Sequence, residues 1–258
     1  MPSLKIWAND RPLEAIVLIC IIALVWSAIE RMRTPGTNRH LLVANWSAVT
    51  ALSLSLQPVY QFIDPLLGGV NITNLLAHLA VCFAGFSVTF SLARTAASFF
   101  KEQSPGVARP MWLVISALGL VLTFILMGAY QGTNRGLVGY SDSYLAYTAY
   151  QCLTLSGLFI GAPYLLPRLL QMASKAGEIT LKLQLRMFFA SYISAILAAI
   201  FFVLTPISEA IINLREACIY TTFLLLTVAF IVAAKERKKS ISSEGIQRPI
   251  GRQKRYQA

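Results

Sequence analysis

The sequence predicts an all-α protein, a polytopic bundle of seven transmembrane helices with its N-terminus outside and its C-terminus in the cytoplasm. Three observations predict it. Of 258 residues, 56% are hydrophobic and only 13% charged, about half the charged share of an ordinary soluble domain. The apolar residues fall into seven runs, each close to the roughly 20 residues that cross a bilayer. The basic residues gather in alternate connections between those runs, which gives the expected orientation.

The runs lie at about 13–29, 41–60, 72–93, 111–130, 144–166, 185–205 and 214–234, bounded by the length needed for a span. Segments 30–40, 94–110, 167–187 and 235–258 carry three, three, four and eight basic residues, against only Lys5, Arg11, Arg135 and Arg215 on the other side. Cationic side chains accumulate at the cytoplasmic ends of spans, so these four segments are placed inside. The expected location is the cell membrane, with a multi-pass topology. Residues 1–234 then form one seven-helix unit, because no soluble domain fits between the runs.

The first run is followed by its basic cluster, Arg31, Arg33 and Arg39. A signal peptide carries its charge ahead of the apolar stretch, so this run reads as an anchor. The second run bears a polar stripe, Trp46, Thr50, Ser53 and Gln57, at helical spacing. Asp64-Pro65 followed by Gly68-Gly69 reads as a tight outer turn, and Asn71 or Thr73 as the cap of the third span.

The third run carries the sharpest pattern. At 100° per residue, Asn71, Asn74, His78, Cys82, Gly85 and Thr89 fall within an arc of about 80°. The rest of that helix is almost wholly apolar. Hydrocarbon penalises an unpaired polar group by several kcal/mol, so the stripe is expected to face protein or water. His78 has two readings, a ligand contact or proton-sensitive switch and a hydrogen-bonding fastener to Gln57 or Gln151.

The fourth run, about 111–130, is apolar enough for a span. The fifth repeats the stripe in Tyr147, Gln151, Thr154, Leu158 and Gly161, and Pro163 and Pro167 are expected to bend or stop it toward its inner end. The sixth offers Ser191, Ser194, Ala195 and Ala198, small residues that let helices approach closely. Tyr60, Tyr130, Tyr140, Tyr144, Tyr147, Tyr150 and Tyr220 cluster at the outer ends of spans. They read as an interfacial belt, or, for Tyr144, Tyr147 and Tyr150, as the mouth of a cavity. The segment from Arg168 to Arg186 reads either as extensions of its flanking spans or as an interfacial helix.

Beyond the seventh run, residues 235–258 have little apolar content and eight basic residues. Such a tail is expected to be disordered, with Lys235, Arg237, Lys238 and Lys239 against anionic lipid headgroups. Nucleic acid is not an expected partner, since no folded binding motif accompanies the charge. A separate cytoplasmic regulatory protein is a candidate partner. Cys20, Cys82, Cys152 and Cys218 sit in apolar runs without metal-ligand spacing and read as small apolar residues, so no metal or cofactor is expected. No nucleophile motif, P-loop or paired intramembrane carboxylate is present, and no enzymatic activity is expected.

Arg39 ahead of the second span, Gln57-Pro58 with Asp64, and Asn74-Leu75-Leu76-Ala77-His78 carry a resemblance. The chain resembles a family of actinobacterial seven-span integral membrane proteins, usually described as transporters and often encoded beside helix-turn-helix regulators. The resemblance implies no particular substrate. Two functions therefore compete: a transporter of a small solute, with Asn74, His78, Gln57, Tyr147, Gln151 and Thr154 lining its path, and a sensory module that binds an extracytoplasmic ligand.

Overall fold

The computed structural model describes residues 11–33, 38–103, 106–131, 144–205 and 210–246, and among them every regular element is a helix. In chain order these are α1 Arg11–Met32, α2 Arg39–Ser55, α3 Gln57–Leu66, α4 Ile72–Phe100, α5 Pro110–Leu126, α6 Tyr144–Thr154, α7 Ser156–Lys175, α8 Ile179–Leu204 and α9 Ala210–Ile246. Four stretches, Glu14–Met32, Ile72–Phe100, Ile179–Leu204 and Ile211–Lys235, are long and apolar enough to cross a membrane. The pair α6 and α7 makes a fifth if counted as one broken span. These are the helices of an integral membrane protein.

α4 occupies the centre and packs on α2, α3, α5, α6 and α7. Its C-terminal half meets α7 and α8 around Leu92, Leu165, Leu169 and Phe188, and its N-terminal half meets α5 and α6 around Phe86, Phe124 and Tyr150. Ile19, Leu118 and Val203 stay exposed on the outside of the bundle, as lipid-facing side chains do. Between such helices the hydrophobic effect supplies little drive, so close packing and hydrogen bonds decide the contacts. Ser191, Ser194, Ala195 and Ala198 are all buried, and Ser194 Oγ donates to the Cys218 carbonyl of α9 at 2.8 Å. The packing role expected of this small-residue face is what the structure has.

Several sequence expectations are corrected. The second run does not continue to residue 60: α2 ends at Ser55, and Pro58 sits in the first turn of a separate α3, where its missing N–H costs nothing. Asp64-Pro65 belongs to α3 rather than to the turn, which comes at Gly68 and Gly69, both at positive φ. Pro163 and Pro167 lie inside an uninterrupted α7 and are both exposed on its outer face. The break comes earlier, at Leu155, where α6 and α7 diverge by 54°.

The connection from Arg168 to Arg186 resolves as extensions of the two flanking helices, with α7 reaching Lys175 and α8 starting at Ile179. The tail is not disordered throughout: α9 runs on as a helix to Ile246, consistent with the strong helix propensity of Lys, Glu and Arg after Ala234. Lys235 is exposed. The side chains of Arg237, Lys238 and Lys239, and all of residues 247–258, lie outside the described residues, as does Tyr140.

Candidate functional site

The third-span stripe is assembled as a polar column on α4. Its N-terminal end is fixed by α3. Asn71, fully buried, takes a left-handed conformation with φ 60°, a region asparagine tolerates better than most residues. Tyr60 Oη donates to Asn71 Oδ1 at 2.5 Å, and Asn71 Nδ2 donates to the Ala129 carbonyl at 2.9 Å. Asn74 Nδ2 donates to Asn71 Oδ1 at 3.0 Å and lies 3.4 Å from Tyr60 Oη. Asp64 Oδ1 accepts from the Thr73 backbone N–H at 3.3 Å. Asn71 is the backbone N-cap of α4 without a side-chain cap bond, so the carboxylate of α3 satisfies a first-turn donor that Asn71 and Thr73 were expected to cap themselves.

One turn deeper, His78 Nδ1 lies 2.8 Å from the Asn74 carbonyl. A carbonyl only accepts, so this contact assigns the proton to Nδ1 and leaves Nε2 as the acceptor of the neutral ring. The Gln151 side chain lies close to both the His78 ring and the Tyr147 hydroxyl. The Tyr150 ring lies 4.8 Å from that of His78, and its fully buried hydroxyl has no hydrogen-bond partner among the described residues. Tyr147 also meets Phe202 at 6.4 Å between ring centroids, and the Arg215 guanidinium stands 4.7 Å above Phe202 while pairing with Glu216 at 2.6 Å.

Asn74, His78, Tyr147 and Gln151 are therefore brought together, on α4 and α6. Thr154 belongs one turn further in; its hydroxyl donates to the Tyr150 carbonyl at 3.0 Å, and it lines a cavity of about 20 Å³ beside the break, room for roughly one water. Gln57 is not part of the group, being exposed in the first turn of α3. The rest of the second-span stripe also points away. Trp46 and Thr50 are exposed, Thr50 Oγ1 bonds its own Trp46 carbonyl at 3.0 Å, and α2 buries instead the face of Ala44, Asn45, Ala48, Ala51 and Leu52. A hydroxyl satisfied by its own helix needs no polar neighbour.

Tyr60 and Tyr150 also leave the expected belt, since both are buried. Tyr144 begins α6, its hydroxyl donating to the Phe202 carbonyl at 2.5 Å. Tyr130 is exposed, as belt residues are.

Below the polar column comes the tightest helix crossing. Gly85 of α4 faces Gly157, in the first turn of α7. Thr89 Oγ1 donates to the Gly157 carbonyl at 2.7 Å and lies 2.6 Å from Tyr192 Oη; its proton being committed to the carbonyl, Tyr192 must donate to Thr89. A Cβ on Gly161 would stand 2.5 Å from Thr89 Cγ2. At 1.5 Å per residue this crossing lies about 20 Å along α4, and Leu155 about 16 Å along α6 from its start. Gly157 and Tyr192 are site residues that sequence patterns did not single out, while Tyr60 and Asp64 were read there as belt and turn residues. Compared with family models, with curated proteins and with solved structures, the chain matches none.

Proposed function

We propose that the chain is a seven-span plasma-membrane transporter, N-terminus outside, that passes a small polar solute along the column from Asn74 and His78 to the break at Leu155. The observation that supports it most is the break itself. Discontinuous helices at mid-membrane are a recurring device of secondary transporters, because they bring backbone polar groups to a buried path and give the bundle a joint. Here the joint lies one turn beyond Gln151 and immediately after Thr154. The amide, imidazole and phenol groups of the column offer neutral donors and acceptors suited to a hydrogen-bonding solute. In this reading α2 and α5 also cross the membrane, each with 17 helical residues.

The test is counterflow in proteoliposomes loaded in turn with radiolabelled amino acids, sugars and polyols. One class should exchange, and His78→Ala should slow that exchange by more than tenfold, with Gln, which keeps a donor and an acceptor, slowing it less. Equal rates in wild type and both variants would remove His78 from the path. A sensory role has one observation of its own: α9 continues as a helix beyond Lys235, a lever through which movement would reach a cytoplasmic protein. Wild-type proteoliposomes that exchange none of the panel, together with a soluble regulator that co-purifies through residues 236–246, would favour it.

A further inference from the structure

Between the first turn of α5 and the first half of α7, the surface opens into a groove of about 430 Å³. Val107, Arg109, Met111, Trp112, Ile160 and Tyr164 line it. We infer that this groove holds the headgroup of an anionic glycerophospholipid of the surrounding bilayer, with its phosphate against Arg109 and an acyl chain laid along α5. The inference rests on the reading of the chain as a membrane protein and is independent of whether it transports.

Charge comes first. The Arg109 guanidinium is exposed and has no ion pair among the described residues. The carboxylate placed to repel an anion here is Glu102, and it is already engaged. Arg168 Nη2 bonds Glu102 Oε2 at 2.8 Å and Oε1 at 2.9 Å, with Nε adding a third bond at 3.1 Å. Tyr164 Oη donates to the same carboxylate at 3.0 Å, and the Arg168 guanidinium stacks 3.8 Å over the Tyr164 ring. That arrangement neutralises Glu102 and holds one wall of the groove rigid, while Arg109 remains free to meet a phosphate.

The second argument is shape. From the groove, Met111, Ile115, Leu118, Leu122 and Ile125 follow at helical spacing, and all are exposed, Leu118 by 65% and Leu122 by 57%. This forms an apolar track about 21 Å long at 1.5 Å per residue, longer than the roughly 15 Å of one leaflet's hydrocarbon. Trp112 and Tyr164, amphipathic rings, stand where the polar groove passes into the track, the depth at which such side chains settle in a bilayer. A free phosphate would use Arg109 but not the track. A zwitterionic lipid would use the track but would bring a cation to Arg109.

Trp112 reports on the site directly. In full-length protein with Trp7, Trp26 and Trp46 replaced by Phe, reconstituted in vesicles, quenching of Trp112 by brominated phosphatidylglycerol is compared with quenching by brominated phosphatidylcholine at equal mole fraction. The anionic lipid should be preferred about fivefold, the scale of one basic residue against anionic headgroups. Arg109→Gln should abolish the preference, and Arg109→Lys, which keeps the charge, should retain most of it. Equal quenching by the two lipids, or an unchanged preference in Arg109→Gln, overturns the site. Competition by inorganic phosphate that lowers the preference without lipid release would overturn it in favour of a free anion. Absence of quenching by either lipid would overturn both the site and the placement of α5 in the bilayer.

Discussion

Asn71→Leu is expected to destabilise the protein by about 3–4 kcal/mol, among the largest effects available to a single substitution. Two causes add. The side chain joins α3, α4 and the turn at Ala129 through Tyr60, Asn74 and the Ala129 carbonyl, and leaving such buried partners unpaired costs about 1–3 kcal/mol. The residue also holds φ at 60°, which for a leucine costs roughly 1–2 kcal/mol more. Asn71→Gly separates the two: it relieves the backbone and removes the amide, so it should still lose about 2 kcal/mol. Thermal unfolding in detergent measures both. If Asn71→Gly unfolds with wild type, the hydrogen bonds are not what holds the N-terminal end of α4.

Gly157→Ala is the second. A Cβ there would overlap Phe86 N and lie 2.7 Å from Gly85 C, both backbone atoms that have nowhere to go. Overpacking of this kind costs typically 1–3 kcal/mol, and the backbone contact puts it at the top of that range, about 3 kcal/mol or a fall of roughly 6–12 °C in Tm. Gly119→Ala is the control. Its Cβ would meet only the Leu153 side chain, Cδ1 at 3.0 Å and Cδ2 at 3.3 Å, the tip of a side chain that can turn aside, and alanine regains up to about 1 kcal/mol of helix propensity. The two variants should therefore differ by at least 2 kcal/mol. Equal unfolding temperatures would mean that α4 and α7 are not in backbone contact.

The polar column of α4 was legible in advance because a 3.6-residue period places Asn71, Asn74, His78, Cys82, Gly85 and Thr89 on one face whatever they touch. The same period misled at α2. It shows that Trp46, Thr50 and Ser53 share a face, but not that a hydroxyl bonded to its own helix can leave that face turned outward. The break at Leu155 carries no proline or glycine at the residue itself, and the two prolines that would mark a break sit on the exposed side of α7 without interrupting it. Asp64 was read as part of a turn. Its role as the partner of Thr73 N–H depends on α3 folding back onto α4, a tertiary event that local patterns do not encode. Gly157 likewise becomes special only through Gly85, distant in sequence.

The proposed transport requires that the 54° bend at Leu155 be a hinge that opens and closes a path beside His78. Spin labels at Leu145, exposed on α6, and Leu170, exposed on α7, report that angle directly by double electron–electron resonance, with Cys20, Cys82, Cys152 and Cys218 first replaced by Ala. In liposomes the account predicts two distance populations, exchanging in proportion when a transported solute is added. One narrow population, unmoved by every solute that the protein exchanges, would show that the bend at Leu155 is a fixed kink and contradict the account.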